Sequence, residues 1–174
     1  MKKTFLTLFV VSLASAELLV SPAKSMQLAF SLDAHIEKKN ILLSKEQVDT
    51  VEKETKNKLK TKLYQIYKAT KDEHLLGYGI LVSQMVRSKN CVVMYHISAD
   101  KILKSIEIIA FNEPKEYLPN QQWKKVFNTV STLEPLYLSK QIPTITGATL
   151  SARAVTDASR TAFAIYNQVL KEQK

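Results

Sequence analysis

Apolar and polar residues alternate along the middle of the chain, and this period of two predicts β-strands. Four strands are predicted, at residues 63–68, 75–86, 91–97 and 102–111. Short polar turns separate them, at residues 69–74, 87–90 and 99–101. Because connections this short join neighbouring strands in opposite directions, the spacing predicts an antiparallel meander.

Helical patterns flank the predicted sheet. Ser44, followed three residues later by Gln47, forms a capping-box signature and predicts a helix from residue 45 to about residue 60. Apolar residues at helical spacing predict a short helix at 121–130 and a long one from Leu150 to Lys171. The predicted fold class is therefore α+β: an antiparallel sheet of about four strands, with an N-terminal helix and a long C-terminal helix packed on it.

Two segments carry weaker patterns. Residues 17–43 show few regular signals, and within them residues 29–32 either add an edge strand or pack loosely. Residues 133–145 are apolar but are interrupted by Pro135 and Pro143, which predicts an extended loop.

The N-terminus has the three parts of a secretory signal peptide. Lys2 and Lys3 give a positive start, residues 5–13 form a short apolar core, and Ala14-Ser15-Ala16 is an Ala-x-Ala cleavage site. The apolar core is far shorter than the roughly 20 residues needed to span a bilayer. Cleavage after Ala16 and export to the bacterial periplasm or cell envelope are therefore expected, with an uncleaved N-terminal anchor as the alternative. The predicted organisation is a signal peptide (1–16), a leader segment (17–43) and one domain (44–174).

The sequence is strongly basic, with a formal net charge of +9 that falls to +7 without Lys2 and Lys3. Much of the excess lies between Lys53 and Lys71, a stretch rich in lysine and without arginine. Such a run is either the solvated face of a helix or a docking surface for an acidic partner or an anionic membrane, since positive fields steer association. Nucleic acid is disfavoured as a partner, because the run lacks an Arg-rich pattern interleaved with aromatic residues.

Several classes of chemistry find no support in the sequence. The single cysteine, Cys91, cannot form an internal disulfide and lies in an apolar run, so a buried and inert thiol is expected. The three histidines, His35, His74 and His96, are scattered without metal-ligand spacing, and no metal site is predicted. With three glycines in all, the chain cannot form a glycine-rich phosphate loop.

The strongest candidate for chemistry is Thr146-Gly147-Ala148-Thr149-Leu150-Ser151, at the start of the long helix. The first N–H groups of a helix have no intrahelical partner, and the helix dipole adds partial positive charge, so a phosphate fits there. Gly147 lets the backbone come close and Ala148 adds little bulk, while Thr149 and Ser151 supply hydroxyls. The alternative is plain N-capping by one of these hydroxyls.

Residues 146–156, Thr-Gly-Ala-Thr-Leu-Ser-Ala-Arg-Ala-Val-Thr, resemble the flavinylation motif of the FMN-binding domain family. That family includes the FMN-carrying subunits of Rnf-type and sodium-pumping quinone oxidoreductase complexes and small exported flavoproteins. The resemblance implies that Thr149 is joined to FMN by a phosphoester bond, which a separate flavin transferase makes from FAD. The family usually has an Asp a few residues earlier, where this chain has Ile142, Pro143 and Thr144. Binding of FMN without a covalent bond is therefore the alternative.

The resemblance extends over roughly residues 74–166, although only the 146–156 motif is specific. Residues 112–118, followed by Trp123 and Phe127, resemble the Glu-Pro…Trp…Phe stretch of the small exported members. Gly77-Tyr78-Gly79 resembles their first core strand, where the glycines either let a flat ring approach the sheet or mark a bulge.

The resemblance implies a cofactor site at the start of the long helix. The implied FMN-binding residues are Thr146, Gly147, Ala148, Thr149, Leu150, Ser151 and Glu113. For Glu113 the alternative is an exposed loop carboxylate. Tyr117, Trp123 and Phe127 are expected to be core residues that wall the pocket, with direct stacking on the flavin as the alternative. Arg153 either meets the phosphate or lies on the helix surface.

These expectations describe an exported flavoprotein that carries FMN and passes electrons between periplasmic or membrane redox partners. One alternative is a flavin-free binding module that docks an acidic partner through its Lys-rich helix. Another is an FMN-dependent reductase with its own substrate. The sequence shows no evident acid–base pair for such a reductase, so an electron carrier is favoured over an enzyme.

Overall fold

The sheet is built from strands that lie side by side in the order of the sequence. The computed structural model describes residues 18–170, so the predicted signal peptide lies outside the described residues. The antiparallel strands are β1 (His35–Leu42), β2 (Leu63–Lys71), β3 (His74–Met85), β4 (Asn90–Ser98), β5 (Ile102–Phe111) and β6 (Val130–Ser131). The predicted α+β class is confirmed, and the four predicted strands are β2 to β5. The sheet has six strands and not four, because β1 and β6 extend its two edges.

Four α-helices lie within the described residues: α1 (Pro22–Ala29), α2 (Lys45–Thr55), α3 (Gln121–Lys124) and α4 (Thr149–Ile165). The predicted capping box between Ser44 and Gln47 is present at the start of α2. α2 ends before residue 60, because Lys56 adopts a left-handed backbone conformation with φ of 57°. The helix predicted at 121–130 is also shorter, since α3 passes into a 3₁₀ turn and then into β6. α4 continues into a short π-helical turn, Tyr166–Leu170.

The leader segment 17–43 contains regular structure that the sequence pattern does not predict. Pro22 occupies the first turn of α1, and the Ser21 side chain accepts a hydrogen bond from the Lys24 N–H at 3.3 Å. β1 pairs with β2 along all eight of its residues and is mostly exposed. The edge strand expected at 29–32 is wrong, because α1 ends there and the strand begins at His35.

The two faces of the sheet are covered by different helices. α4 packs on β3 and β4 through fully buried small residues such as Ala158 and Ala162, so its backbone lies close to the sheet. The Tyr95 hydroxyl on β4 donates a hydrogen bond to the Val155 carbonyl of α4 at 2.6 Å. α1 covers the opposite face, where its Met26 side chain is fully buried. The sheet is therefore the middle of three layers.

Two glycines of β3 make room for α1. A Cβ on Gly77 would meet the Ile97 carbonyl oxygen of β4 and, at 2.6 Å, the ring of Phe30, the residue after α1; a Cβ on Gly79 would meet the Met26 sulfur of α1. Because these atoms fill the space beside both glycines, the alternative that the glycines admit a flat cofactor ring is wrong. The alternative of a bulge is confirmed, since the register between β2 and β3 shifts just after Ala69, the partner of Gly77.

A buried histidine links α1 to the sheet. His96 on β4 is 2% exposed, and its Nε2 lies 2.9 Å from the Ser25 Oγ of α1. Its Nδ1 lies 3.0 Å from the Ser105 Oγ of β5. Burial lowers the pKa of His96 to about 4, with a smaller contribution from the positive charges of Lys104 and Lys124. The imidazole is therefore neutral at pH 7.

Acid should weaken the contact between α1 and the sheet. The pKa of His96 is about 4 in the folded protein, whereas an unfolded histidine titrates near pH 6.5, so protonation favours the unfolded chain. The stabilisation is complete above pH 6.5 and is lost as the pH falls towards 4. We expect the free energy of unfolding in urea to fall by about 2 kcal/mol between pH 7 and pH 5. In H96Q the fall should be clearly smaller, whereas H74Q, which alters the exposed first residue of β3, should behave as the wild type. Equal falls in wild type and H96Q would contradict this assignment.

Candidate functional site

The N-terminus of α4 has no side-chain cap. Ala148 occupies the N-cap position and makes no side-chain hydrogen bond. The first intrahelical bond runs from the Ala152 N–H to the Ala148 carbonyl at 3.1 Å, so the N–H groups of residues 149–151 precede the helical ladder. The Thr149 hydroxyl donates back to the Ile145 carbonyl at 3.3 Å. Plain N-capping by a hydroxyl is therefore wrong for this helix, because an alanine stands at the capping position.

A buried hydroxyl lies beside these free amides. Ser151 is 1% exposed, and among residues 18–170 its Oγ is the buried side-chain polar atom without a hydrogen-bond partner. Leaving such a group unpaired costs about 1–3 kcal/mol. Ser151 lines a cavity of about 280 Å³ at the start of α4, so a ligand in that cavity is within its reach.

The cavity joins the helix N-terminus to two other segments of the chain. Its lining residues are Val86, Arg87, Tyr117, Gly147, Ala148, Thr149, Leu150 and Ser151. Five of the predicted site residues thus come together, whereas Thr146 does not line the cavity. Gly147 has φ of +79°, and no protein atom lies within 4 Å of the place where its Cβ would be. The glycine therefore provides an unusual backbone conformation and leaves open space beside it.

Arg87 also lines the cavity, although the sequence pattern around it predicts only a turn at 87–90. Arg87 is exposed, lies two residues after the end of β3 and lines the cavity together with the N-terminus of α4. Within residues 18–170 its guanidinium makes no hydrogen bond or ion pair. A free guanidinium matches the geometry of a phosphate group, which it can bind through two parallel hydrogen bonds.

Glu113 holds the turn that contains Arg87. Its Oε1 accepts hydrogen bonds from the backbone N–H groups of Arg87, Ser88 and Lys89 at 3.1, 2.6 and 2.8 Å. These bonds lower the pKa of Glu113, with the Ser88 N–H as the largest contribution. The alternative of an exposed loop carboxylate is wrong, because Glu113 is 8% exposed. Glu113 does not line the cavity, so the structure does not bring it together with the other predicted FMN-binding residues; it holds the turn that contains Arg87.

The aromatic residues position the loop that leads into α4. Trp123 and Phe127 are buried and meet edge to face, with ring centroids 5.2 Å apart. The Trp123 Nε1 donates a hydrogen bond to the Pro143 carbonyl at 2.8 Å, and the adjacent Ile142 is 1% exposed. The region where the family usually has an Asp is thus fixed by a tryptophan and a buried isoleucine. Of the three aromatic residues, Tyr117 lines the cavity.

The described residues offer few other reactive groups. Cys91 is fully buried, and burial raises the pKa of its thiol to about 12, as expected for an inert cysteine. Across residues 18–170, no three His, Cys, Asp or Glu side chains are placed together so that they could bind a metal ion. No helix in this part of the chain has the length and hydrophobicity needed to cross a bilayer. Arg153 is exposed and lies outside the cavity lining.

The donors around the cavity fit the phosphate of a nucleotide cofactor: free helix amides, an unpaired buried hydroxyl and a free guanidinium. Residues 88–164 match the family model of the FMN-binding domain. The match extends from the turn before β4 almost to the end of α4 and includes Glu113 and residues 146–151. No curated protein matches the chain at a significant level. The match agrees with the resemblance to the FMN-binding domain family, and it indicates FMN as the cofactor.

Proposed function

We propose that this protein is an exported flavoprotein that holds FMN on Thr149 and passes electrons between redox partners. The proposal rests on the start of α4, where an exposed Thr149 stands beside three free helix amides, the unpaired Ser151 hydroxyl and Arg87. A helix N-terminus alone would be a common feature of proteins. The convergence of three kinds of phosphate donor on one cavity favours a phosphate ligand.

Each donor has a separate role towards the phosphate. The backbone N–H groups of residues 149–151 and the dipole of α4 would stabilise its negative charge. The Ser151 hydroxyl would donate a hydrogen bond to the phosphate and would no longer be unpaired. Arg87 would add a full positive charge from another wall of the cavity. When bound, FMN supplies the one- and two-electron redox chemistry of its ring system.

Thr149 is accessible to a second protein, because its side chain is exposed at the cavity rim. In the proposed attachment a flavin transferase brings FAD to this hydroxyl. The Thr149 Oγ1 attacks the flavin-side phosphorus, the P–O bond of the pyrophosphate breaks, AMP leaves, and the hydroxyl proton is released. The resulting phosphodiester would prevent the loss of the cofactor in a compartment where FMN is not readily replaced.

The cavity favours electron transfer over a reaction with a substrate of its own. Its lining residues include no carboxylate and no histidine. The carboxylate of the nearby Glu113 already accepts hydrogen bonds from three backbone N–H groups. A general acid or base has to lie within hydrogen-bond reach of the proton that it moves, and the lining provides no evident pair for that task.

A basic surface offers a docking site for an acidic redox partner. Lys53, Lys56, Lys60 and Lys62 are exposed along the end of α2 and the segment that follows it, while Lys58 pairs with Glu52 at 2.8 Å. Positive fields of this kind accelerate association with acidic proteins. The same surface would serve the alternative function, a flavin-free module that docks an acidic partner.

Replacement of Thr149 tests the covalent bond. After co-expression with a flavin transferase, we expect the wild type to run as a fluorescent band on a denaturing gel and to gain the mass of one FMN. T149A should be dark, because it lacks the attacking hydroxyl. T144A, which removes an exposed threonine upstream of the motif, should remain fluorescent. A fluorescent T149A would place the bond elsewhere, and a wild type that releases its FMN on denaturation would rule the bond out.

Replacement of Ser151 separates ligand binding from stability. In flavin-free protein, S151A should unfold at the same or a higher urea concentration, because the variant removes an unpaired buried oxygen. Its affinity for FMN, followed by quenching of flavin fluorescence, should fall roughly tenfold. S159A provides the contrast, because the Ser159 hydroxyl donates to the Thr156 carbonyl at 2.7 Å. That variant should lose about 1 kcal/mol of stability and keep its FMN affinity. A stability loss in S151A like that in S159A would contradict the unpaired state of Ser151.

Replacement of Arg87 tests another wall of the cavity. R87Q in flavin-free protein should lower the affinity for FMN by roughly tenfold, because a charged hydrogen bond to phosphate is lost. R153Q changes another exposed arginine that lies outside the cavity and should bind as the wild type. Riboflavin, which has no phosphate, should bind R87Q and the wild type equally. Equal FMN affinities of R87Q and R153Q would remove Arg87 from the site.

A further inference from the structure

A second and larger cavity, of about 720 Å³, lies on the α1 side of the sheet. It is bounded by α1, by residues 105–108 of β5 and by the segment 118–128. It shares no lining residue with the cavity at the start of α4. Its volume is within the range of small-molecule sites, roughly 300–1,000 Å³.

The cavity lies where the outer edge of β5 is uncovered. β6 pairs with β5 at Ile102 and Leu103, and at the other end the Leu19 N–H donates to the Ile109 carbonyl at 2.9 Å. The intervening residues 105–108 line the cavity. The chain thus closes both ends of this edge and leaves its middle facing an open space.

The walls of the cavity are mainly apolar. The apolar lining residues are Leu19, Val20, Leu28, Ala29, Ile106, Ile108, Leu118 and Pro119. Leu28 is 65% exposed and Leu19 is 42% exposed, although both lie at the mouth of the cavity. Large aliphatic side chains exposed beside a cavity are typical of a site for a ligand with an apolar body.

A buried ammonium group provides the polar end of the cavity. Lys124 is 6% exposed, and its Nζ lies 2.5 Å from the Glu107 Oε1. An ammonium group has three N–H donors, and within residues 18–170 the Lys124 Nζ makes this one hydrogen bond. Two donors are therefore available to an acceptor in the cavity. With Lys125 at the rim and Glu107 as the only lining carboxylate, the lining has one net positive charge when His96 is neutral.

We propose that this cavity is a second ligand site, which binds an amphipathic carboxylate, such as a fatty acid of medium length. The carboxylate accepts hydrogen bonds from the free N–H donors of Lys124, and the aliphatic body packs against Leu28, Ile106 and the other apolar walls. The charge of the lining favours a monoanion over a cation of the same shape. The ligand is distinct from FMN, because the two cavities lie on different walls of the protein and share no residue.

Octanoate titrated calorimetrically into the flavin-free full chain tests the proposal. We expect saturable binding of octanoate and no binding of octyltrimethylammonium, which has an alkyl tail one carbon longer and the opposite charge. Amide chemical-shift changes in the nuclear magnetic resonance spectrum should concentrate at residues 105–108. Weak or absent octanoate binding up to millimolar concentrations, or equal binding of the cation, would overturn the proposal. Because no flavin is present, this result does not depend on the fate of the proposed attachment at Thr149.

Two exposed leucines provide matched variants. L28E places a negative charge at the cavity mouth and should weaken octanoate binding by about tenfold or more. L32E changes a leucine that is 68% exposed and lies outside the lining, so it should bind octanoate as the wild type does. Both variants should fold as the wild type does, because both leucine side chains are largely exposed to solvent. K124M should also lose binding, and equal affinities of L28E and L32E would place the ligand elsewhere.

Discussion

The close packing of α4 on the sheet is the constraint on which the proposed FMN site depends. Alanines on the inner face of α4 let its backbone approach β3 and β4, and the Tyr95 hydroxyl bonds to the Val155 carbonyl. Each residue of a helix turns the side-chain direction by about 100°. A shift of α4 by one residue would therefore turn Ser151 away from the cavity and move the free amides. The sheet thus determines where the helix begins and which groups line the cavity there.

Two segments near the start of α4, the turn at 87–89 and the loop that contains Pro143, are held by hydrogen bonds from buried side chains to backbone atoms. Glu113 binds the N–H groups of the turn that contains Arg87, and Trp123 binds the Pro143 carbonyl in the loop before α4. Both anchoring side chains are buried, so their geometry is protected from water. The polar groups of the cavity are therefore positioned before any ligand arrives, which reduces the entropic cost of binding.

The sequence predicts the parts of the structure that depend on local patterns. Alternation identifies β2 to β5, and the capping box identifies the start of α2. The sequence pattern does not predict β1, because this edge strand has charged residues on both faces and therefore no alternation of apolar and polar residues. The sequence alone cannot decide between the two alternatives for Gly77 and Gly79, because the side chains of Met26 and Phe30, which fill the space beside them, come from far away in the sequence.

The same limit applies to the candidate site. A motif within one segment suggests residues 146–151, and five of these six residues line one cavity. Arg87 and the support of its turn by Glu113 are tertiary contacts, and no local pattern in the sequence predicts them. The prediction that a hydroxyl caps α4 is wrong by a single position. The helix begins at Thr149, so Ala148 and not a threonine occupies the N-cap position. The unpaired state of Ser151 becomes visible only when its buried surroundings are known.

The exposed edge of β1 has a consequence for the behaviour of the protein at high concentration. An uncovered strand edge can pair with the edge of a second molecule and start aggregation, and nature often places lysines there to prevent it. β1 has Glu37, Lys38 and Lys39 in succession, all exposed, at the outer border of the sheet. Two such edges would bring lysines against lysines. The same charged residues that leave β1 without an apolar alternation thus also disfavour pairing between the β1 edges of two molecules.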